Sequence, residues 1–230
     1  MIKDARWSAA LICTIASTAL VTLSAPAHAD PPKLRYHQRG VAITQLQQAL
    51  DKRGFLWGRP NGVYDQRTRY AVWAFQKSRG MRPRTPVGPA VLRALHTPRR
   101  REAPPKSLRT GALVDLGRQL LTVYRDYRPV LTVHVSTGAG VEYCHDGRCR
   151  VAVTPVGDYR IFSRVAGVST GPLGSMYNTL YFNGGIALHG SLAVPRHPAS
   201  HGCVRMPLRA ADRVFALLHE GDPVHVRARV

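Results

Sequence analysis

Gly185-Ile186-Ala187-Leu188-His189-Gly190 is followed, after a short interval, by Ser200-His201-Gly202-Cys203-Val204-Arg205. The first piece reads as a short apolar strand ending on a histidine, so the ring of His189 can be held rigidly at the mouth of a loop. Cys203 lies fourteen positions after His189, enough chain to turn back and set the two side chains together. A thiol near neutral pH is a weak nucleophile until an imidazole or a cation stabilises its thiolate. Gly202 frees the backbone for an unusual turn, so amides near Cys203 can aim at a developing oxyanion. These are the parts of a Cys/His acyl-transfer site, which needs no metal or organic cofactor. The cluster His189, His197, His201 and Cys203 also offers zinc's usual ligand types. Against zinc, it lacks a recognisable ligand spacing and a His-Glu-x-x-His base. Pro198 also keeps His197 and His201 from sharing one helical face.

Around this segment the pattern is of strands. Residues 112–116 and 120–125 flank a turn at Gly117-Arg118, and 130–135 is a further alternating run. Residues 151–153, 159–162 and 186–188 add strands. One late helix is expected, with Pro207 at its first position, Val214, Phe215, Leu217 and Leu218 on its buried face, and Gly221 as its stop. Val224, Val226 and Ala228 then return as a strand. Many short strands and one helix predict a mainly β domain over 111–230, a sandwich or barrel whose loops carry the site.

Residues 39–96 have a different period. Val41, Ile43, Leu46, Ala49 and Leu50 repeat at helical spacing up to Gly54. A turn follows at Arg59-Pro60-Asn61-Gly62, then a helix from Thr68 through Ala71, Val72 and Phe75 to Gly80. Gly88-Pro89 opens a third short helix. This is a small all-α three-helix domain without a catalytic constellation, which suggests a binding accessory. After a lead-in over 30–38, it is joined to the β domain by residues 97–110, whose prolines and arginines read as an extended, solvated linker.

The first 29 residues carry Lys3 and Arg6, an apolar run from Ala9 to Val21, and Ala27-His28-Ala29, the pattern of a cleaved secretory signal. The competing reading is a retained membrane anchor, since the apolar run lies near the lower length limit for spanning. The chain of 230 residues has 33 Lys+Arg against 13 Asp+Glu, a formal net charge of +20. Removing Lys3, Arg6 and Asp4 leaves 33−2 against 13−1, or +19. Such a charge favours an anionic partner. Export argues against nucleic acid and for wall polymers or anionic lipid, in the periplasm or at the cell wall. No later stretch is apolar enough to span a membrane.

Export also decides how the cysteines read. Cys13 leaves with the signal, and Cys144, Cys149 and Cys203 remain. Asp146-Gly147 is a preferred centre for a two-residue hairpin turn. His145 and Arg148 then flank the turn and Cys144 faces Cys149 at a non-hydrogen-bonded position, close enough for a disulfide. Cys203 is the odd thiol, and an odd thiol in an exported protein invites a reactive role.

Two resemblances gather these readings. Leu46-Gln47, Leu50, Gly54, Asn61-Gly62-Val63-Tyr64, Thr68, Ala71-Val72 and Phe75-Gln76 resemble the type 1 peptidoglycan-binding domain. Asn61-Gly62-Val63-Tyr64-Asp65 stands where that family usually has Asp-Gly-x-Phe-Gly. Trp57, Tyr64 and Trp73 are its candidate glycan contacts, and Trp73 also reads as a core residue. His-Gly followed by Ser-His-Gly-Cys-Val-Arg resembles the signature of the L,D-transpeptidase (YkuD-type) catalytic domain. Asp115, Ser136-Thr137-Gly138, Thr154-Pro155-Val156-Gly157, Met176-Tyr177 and Gly221-Asp222-Pro223-Val224 follow in that family's order. The resemblance implies Cys203 as nucleophile, His189 as base and the Gly190 carbonyl as its orienting partner, with His201 and Gly202 shaping the site or oxyanion pocket. Ser200, Arg205, Tyr159, Met176, Tyr177 and the 171–174 stretch are its candidate substrate residues. For Arg205 two roles stand, holding a substrate carboxylate or bracing the loop. The implied partners are peptidoglycan stem peptides and glycan, with acidic wall polymers, and carbapenem-type β-lactams as inhibitors.

Overall fold

The computed structural model describes residues 33–98 and 108–228. The signal reading over 1–29 and most of the expected linker lie outside the described residues. Helix α1 spans Val41–Asp51 and buries Ile43, Leu46, Gln47 and Leu50 along one face. Helix α2, Gln66–Ser78, starts two residues before the expected Thr68, because the Asp65 carboxylate is the cap and accepts from the Thr68 amide at 2.8 Å. Helix α3, Pro89–His96, begins at the proline.

The motif residues of this module serve its architecture. The Gln47 side-chain amide donates to Asn61 Oδ1, the Val63 carbonyl and Thr68 Oγ1 at 2.8–2.9 Å. Its Oε1 accepts from the amides of Asn61 and Gly62, both at 2.9 Å. One buried glutamine thus ties the turn to both long helices. Trp57, Tyr64 and Trp73 are 3%, 0% and 9% exposed. That corrects the expectation that they face glycan, since the small core needs all three rings and leaves none open to a sugar.

The β domain holds two main sheets. Strands β1 (Gly111–Asp115), β2 (Leu120–Arg125), β3 (Arg128–His134), β6 (Gly157–Arg160) and β11 (Pro223–Arg227) form one, ordered β3-β2-β1-β11-β6. Strands β7 (Ser163–Gly171), β8 (Gly174–Asn183), β9 (Ile186–Ser191) and β10 (Val204–Pro207) form the other, ordered β10-β9-β8-β7. A separate hairpin pairs β4 (Glu142–His145) with β5 (Arg148–Val151). Val114, Val123, Val133, Val224 and Val226 are buried with Leu180, Phe182, Leu188, Val204 and Met206 in one core. The sheets pack as a sandwich and do not close into a barrel. At one corner Ser136, beyond β3, exchanges backbone hydrogen bonds with Arg205 of β10, both at 2.9 Å.

Helix α4, Leu208–Leu217, covers the second sheet with Ala210, Ala211 and Val214 buried. Pro207 is the last residue of β10 and the cap of α4, not its first helical residue, so strand and helix abut without a loop.

The helical module and the sandwich share one continuous core. Helix α2 lies on β2 and β3, where Tyr70 stacks on His134 with ring centroids 5.6 Å apart and Trp73 meets the same ring edge-on at 5.4 Å. The Thr132 amide donates to the Gly54 carbonyl at 2.7 Å, and Arg196 donates to the Pro83 carbonyl at 2.9 Å. The module is fixed against the sheet by these contacts.

Candidate active site

Strand β9 is an inner strand, flanked by β8 and β10, and its chain carries His189. Its parallel register with β10 sets Leu188 beside Val204 and His189 beside Arg205. One step back along that register, Cys203 comes beside Ala187. Cys203 immediately precedes β10, and its thiol meets the backbone of Gly185 and Ala187, in the segment that runs on to His189. The sequence interval is thereby accounted for: the loop from 192 to 203 returns the chain to the strand that holds the histidine.

Each side chain is fixed by backbone. His189 Nδ1 lies 3.0 Å from the Gly190 carbonyl, which can only accept, so the proton sits on Nδ1 and Nε2 is free to act as a base. The Cys203 thiol donates to the Gly185 carbonyl at 3.6 Å. Burial pushes the Cys203 thiol above its usual value of 9.0, partly offset by a backbone hydrogen bond at Ala187 and by the Arg205 cation. Burial pulls His189 below its usual 6.5, and Arg205 pulls in the same direction against the Gly190 hydrogen bond. The resting pair is therefore a neutral thiol beside a neutral imidazole.

The turn before Cys203 is built from inside. Ser200 Oγ donates to the Cys203 carbonyl at 2.6 Å and accepts from the Gly202 amide at 3.1 Å. Gly202 has φ 143°, a conformation side chains rarely adopt, and a Cβ there would lie 3.0 Å from the Val153 carbonyl. Thr154 Oγ1 donates to the Gly202 carbonyl at 2.5 Å and accepts from the Gly138 amide at 2.9 Å. Behind it, the Ala199 and Ser200 amides donate to the Thr137 carbonyl at 2.9 Å. The Thr137 amide in turn reaches Gln119 Oε1 at 2.9 Å.

Several expected substrate residues are placed elsewhere. Ser200 is 2% exposed with its hydroxyl committed inside the turn, so it shapes the loop and does not face substrate. Tyr159 spends its hydroxyl on the Pro155 and Val156 carbonyls at 3.3 and 3.2 Å, and its ring lies on Phe182. Tyr177 pairs with Gly190 across β8 and β9 and packs toward α4, where its hydroxyl engages Asp212. That is the face opposite His189. Met176, one residue earlier, alternates to the His189 side. Arg205 Nη1 donates to the Ala199 carbonyl at 3.3 Å, so bracing the loop is the contact this guanidinium makes. Gly171 to Gly174 closes the β7–β8 hairpin. Among the described residues no group of three or more His, Cys, Asp or Glu is placed to hold a metal ion, so the four-residue zinc cluster does not assemble. Thr154 and Thr137 were visible only as family marks; a threonine hydroxyl ahead of Pro155 gives no sign in sequence of which carbonyl it will reach.

Thr154→Val, nearly isosteric, removes both hydrogen bonds and leaves the buried Gly202 carbonyl and Gly138 amide without this partner. Loss of about 1–3 kcal/mol of stability is expected, read as a lowered urea midpoint. Labelling of Cys203 by a small alkylating agent should change alongside, because the turn carrying the thiol loses its support.

Fold and site together define a class: a β-sandwich that carries a free thiol at Cys203 and a strand-borne imidazole at His189, with a three-helix module fixed to its flank. The chain belongs to the L,D-transpeptidase family. The L,D-transpeptidase catalytic domain matches residues 109–226, just over half of the chain, and a peptidoglycan binding domain matches residues 39–95. An L,D-transpeptidase from Xylanimonas cellulosilytica is 34% identical with a TM-score of 0.81, covering 89% of this chain and 100% of that one. An L,D-transpeptidase from Stackebrandtia nassauensis shares the fold at 21% identity and a TM-score of 0.51, covering 87% of this chain and 98% of that one. No curated protein matches the chain. No helix among the described residues is long and apolar enough to cross a membrane.

Proposed function

We propose that the protein is an exported peptidoglycan L,D-transpeptidase that forms 3→3 cross-links through a thioester on Cys203. The observation that supports this reading is how the backbone of one segment holds both side chains: the Cys203 thiol on Gly185 and Ala187, and His189 Nδ1 on the Gly190 carbonyl. In this mechanism His189 Nε2 takes the thiol proton as Sγ attacks the carbonyl of the third-position diamino acid of a tetrapeptide stem. Sγ addition gives a tetrahedral oxyanion; as it collapses, the imidazolium gives that proton to the D-alanine amine and the C–N bond breaks, leaving the thioester. A side-chain amine of a second stem then attacks the thioester, gives its proton to His189 and releases the thiol. The carbonyl of Gly190 fills the place a carboxylate takes in other triads. The Cys203 amide is suited to the oxyanion, the Gly202 amide being held by Ser200 Oγ, and Arg205 adds positive charge beside the thiol. His201, exposed beside Cys203, lines the entry, and Met176 is the remaining groove candidate on the His189 side.

The helical module holds the chain on wall substrate while the site works. Its fixed seat on β2 and β3 favours substrate presented at one distance and angle, which a flexible tether would not do. The basic surface adds a salt-sensitive attraction to acidic wall polymers. Carbapenem-type β-lactams, whose strained amide offers an electrophilic carbonyl, are expected to acylate Cys203.

Mass spectrometry of the mature protein incubated with purified disaccharide-tetrapeptide tests the reading. A cross-linked dimer with loss of one D-alanine is the expected result. D-alanine release without dimer would assign water or a protein amine as acceptor, making the protein a carboxypeptidase or an attachment enzyme. Retention of the chain on peptidoglycan with no product would leave a wall-binding protein only.

A further inference from the structure

The β4–β5 hairpin stands apart from both main sheets, and most of its side chains are exposed. A two-stranded hairpin without a core face is marginal in water. This one is pinned by the Cys144–Cys149 disulfide across its second-last rung, on a turn with Asp146 at φ 49° and Gly147 at φ 71°. A bridge there supplies the register that packing cannot. The question is what a fixed register on an exposed hairpin positions.

Its legs root in the turn that carries the nucleophile. On one leg the Ala139 amide donates to the Ser200 carbonyl and Gly140 to the Ala152 carbonyl, both at 2.9 Å. On the other, Ala152 returns a bond to the Val141 carbonyl at 2.8 Å, and Thr154 holds Gly202. Above these roots, Tyr143, the residue before the disulfide, lays its ring against His201 with centroids 4.7 Å apart and planes tilted by 55°. The exposed His201 ring has no hydrogen-bond partner among the described residues. Contact with Tyr143 is therefore what orients it, in a tilted arrangement of the kind aromatic pairs favour.

We propose that Tyr143 is a positioning residue, held by the disulfide-pinned hairpin, that sets the His201 imidazole at the entry to the Cys203 site and so aligns the bound acyl donor. The proposal rests on the reading of the site given above. The Tyr143 hydroxyl takes no part; the ring face does the work. The disulfide acts through Tyr143, so the two belong to one device.

The test compares Tyr143→Ala, Tyr143→Phe, the Cys144→Ser/Cys149→Ser pair, and that pair combined with Tyr143→Ala. Steady-state turnover of disaccharide-tetrapeptide and the NMR signal of the His201 ring protons are read on each full-length mature protein. Tyr143→Ala should lower kcat on the order of tenfold, as loss of alignment does, with KM within about twofold. Tyr143→Phe should retain at least half of the wild-type rate. The cysteine pair should lose part of the rate, and adding Tyr143→Ala to it should cost less than Tyr143→Ala does alone, because the effects are coupled. An unchanged kcat in Tyr143→Ala, a Phe variant as poor as the Ala variant, or fully additive losses would overturn the proposal. If the wild-type protein makes no Cys203-dependent product, the functional reading fails, and the His201 signal decides the positioning claim alone. A shift of that signal in Tyr143→Ala but not in Tyr143→Phe upholds it, and no shift refutes it.

Discussion

Exchange of His189 for alanine is expected to slow acylation of Cys203 by about 10²–10⁴-fold, the range a positioned general base contributes. Cys203→Ala should abolish the adduct altogether. The size of the His189 effect follows from the resting state. Burial holds the thiol above 9.0 and the imidazole below 6.5, so near neutral pH almost no thiolate exists until the imidazole takes the proton during attack. The pH dependence gives the sharper check. The reactive state carries one proton shared between the two groups. The wild-type rate should fall on the acid side only below 6.5, where the depressed imidazole gains a second proton, and on the alkaline side only above 9.0, where the pair loses its last one. Without His189 the acid limb should vanish, and the rate should climb with pH through the raised thiol range, following free thiolate. A His189→Ala profile that keeps the wild-type acid limb would place the base elsewhere. Stopped-flow acylation by a chromogenic β-lactam over pH 5 to 10 distinguishes these outcomes.

Much of this site could be read before the fold was known, and the unread parts share a cause. The segment that holds His189, Gly202 and Cys203 is legible through its resemblance to the family signature, since a His-Gly and a Cys at this separation are common on their own. The disulfide is legible because Asp146-Gly147 fixes a hairpin register by itself. By contrast, strands β7 and β8 were not predicted. Their register shifts between Val165 and Val168 and again between Tyr177 and Leu180, which destroys the period of two. Met176 and Tyr177 are both marks of the family pattern, which does not show that neighbours on a strand face opposite ways. Strand β10 is four residues long and runs straight into α4, too short for a pattern. Ser200 and Thr154 were visible as residues but not in their roles, since a hydroxyl's partner is set by tertiary contact. The contact of Tyr143 with His201 joins residues 58 positions apart and leaves no local trace. The docking of the helical module fell to the same limit: Trp73 meets His134 of a sheet that lies beyond the linker in sequence, while Trp57 and Tyr64 are buried.

That docking surface carries the second large effect. Lys77 of α2 places Nζ 2.8 Å from His134 Nδ1 and 3.4 Å from the Gln119 carbonyl, while His134 Nε2 donates to the Val194 carbonyl at 3.2 Å. The network runs from the helical module through β3 to the loop that leads to Cys203. Both ring nitrogens are used in the neutral form, Nδ1 accepting from Lys77 and Nε2 donating to Val194. Burial, then the Lys77 charge, pull His134 down to about 3, and burial, then the Arg196 cation, pull Lys77 down to about 7. Tyr70 and Trp73 close the remaining sides with uncharged rings. A group whose folded pKa is depressed loses its contribution as pH falls, because the unfolded chain takes the proton first. For Lys77 the window runs from 10.5 down to about 7. Between pH 7 and 9, below the range where Cys203 and Tyr64 ionise, stability should therefore rise by about 2 kcal/mol from this lysine alone. That corresponds to a gain of several degrees in Tm. Lys77→Met keeps the length and packing of the side chain but cannot titrate, so its unfolding free energy should lose this rise, although His134 Nδ1 then lacks a donor. Urea unfolding at pH 7, 8 and 9 for both proteins measures the difference in slope. Equal slopes would mean that Lys77 remains charged in the fold, and that the helical module sits on the sheet loosely enough to admit water beside it.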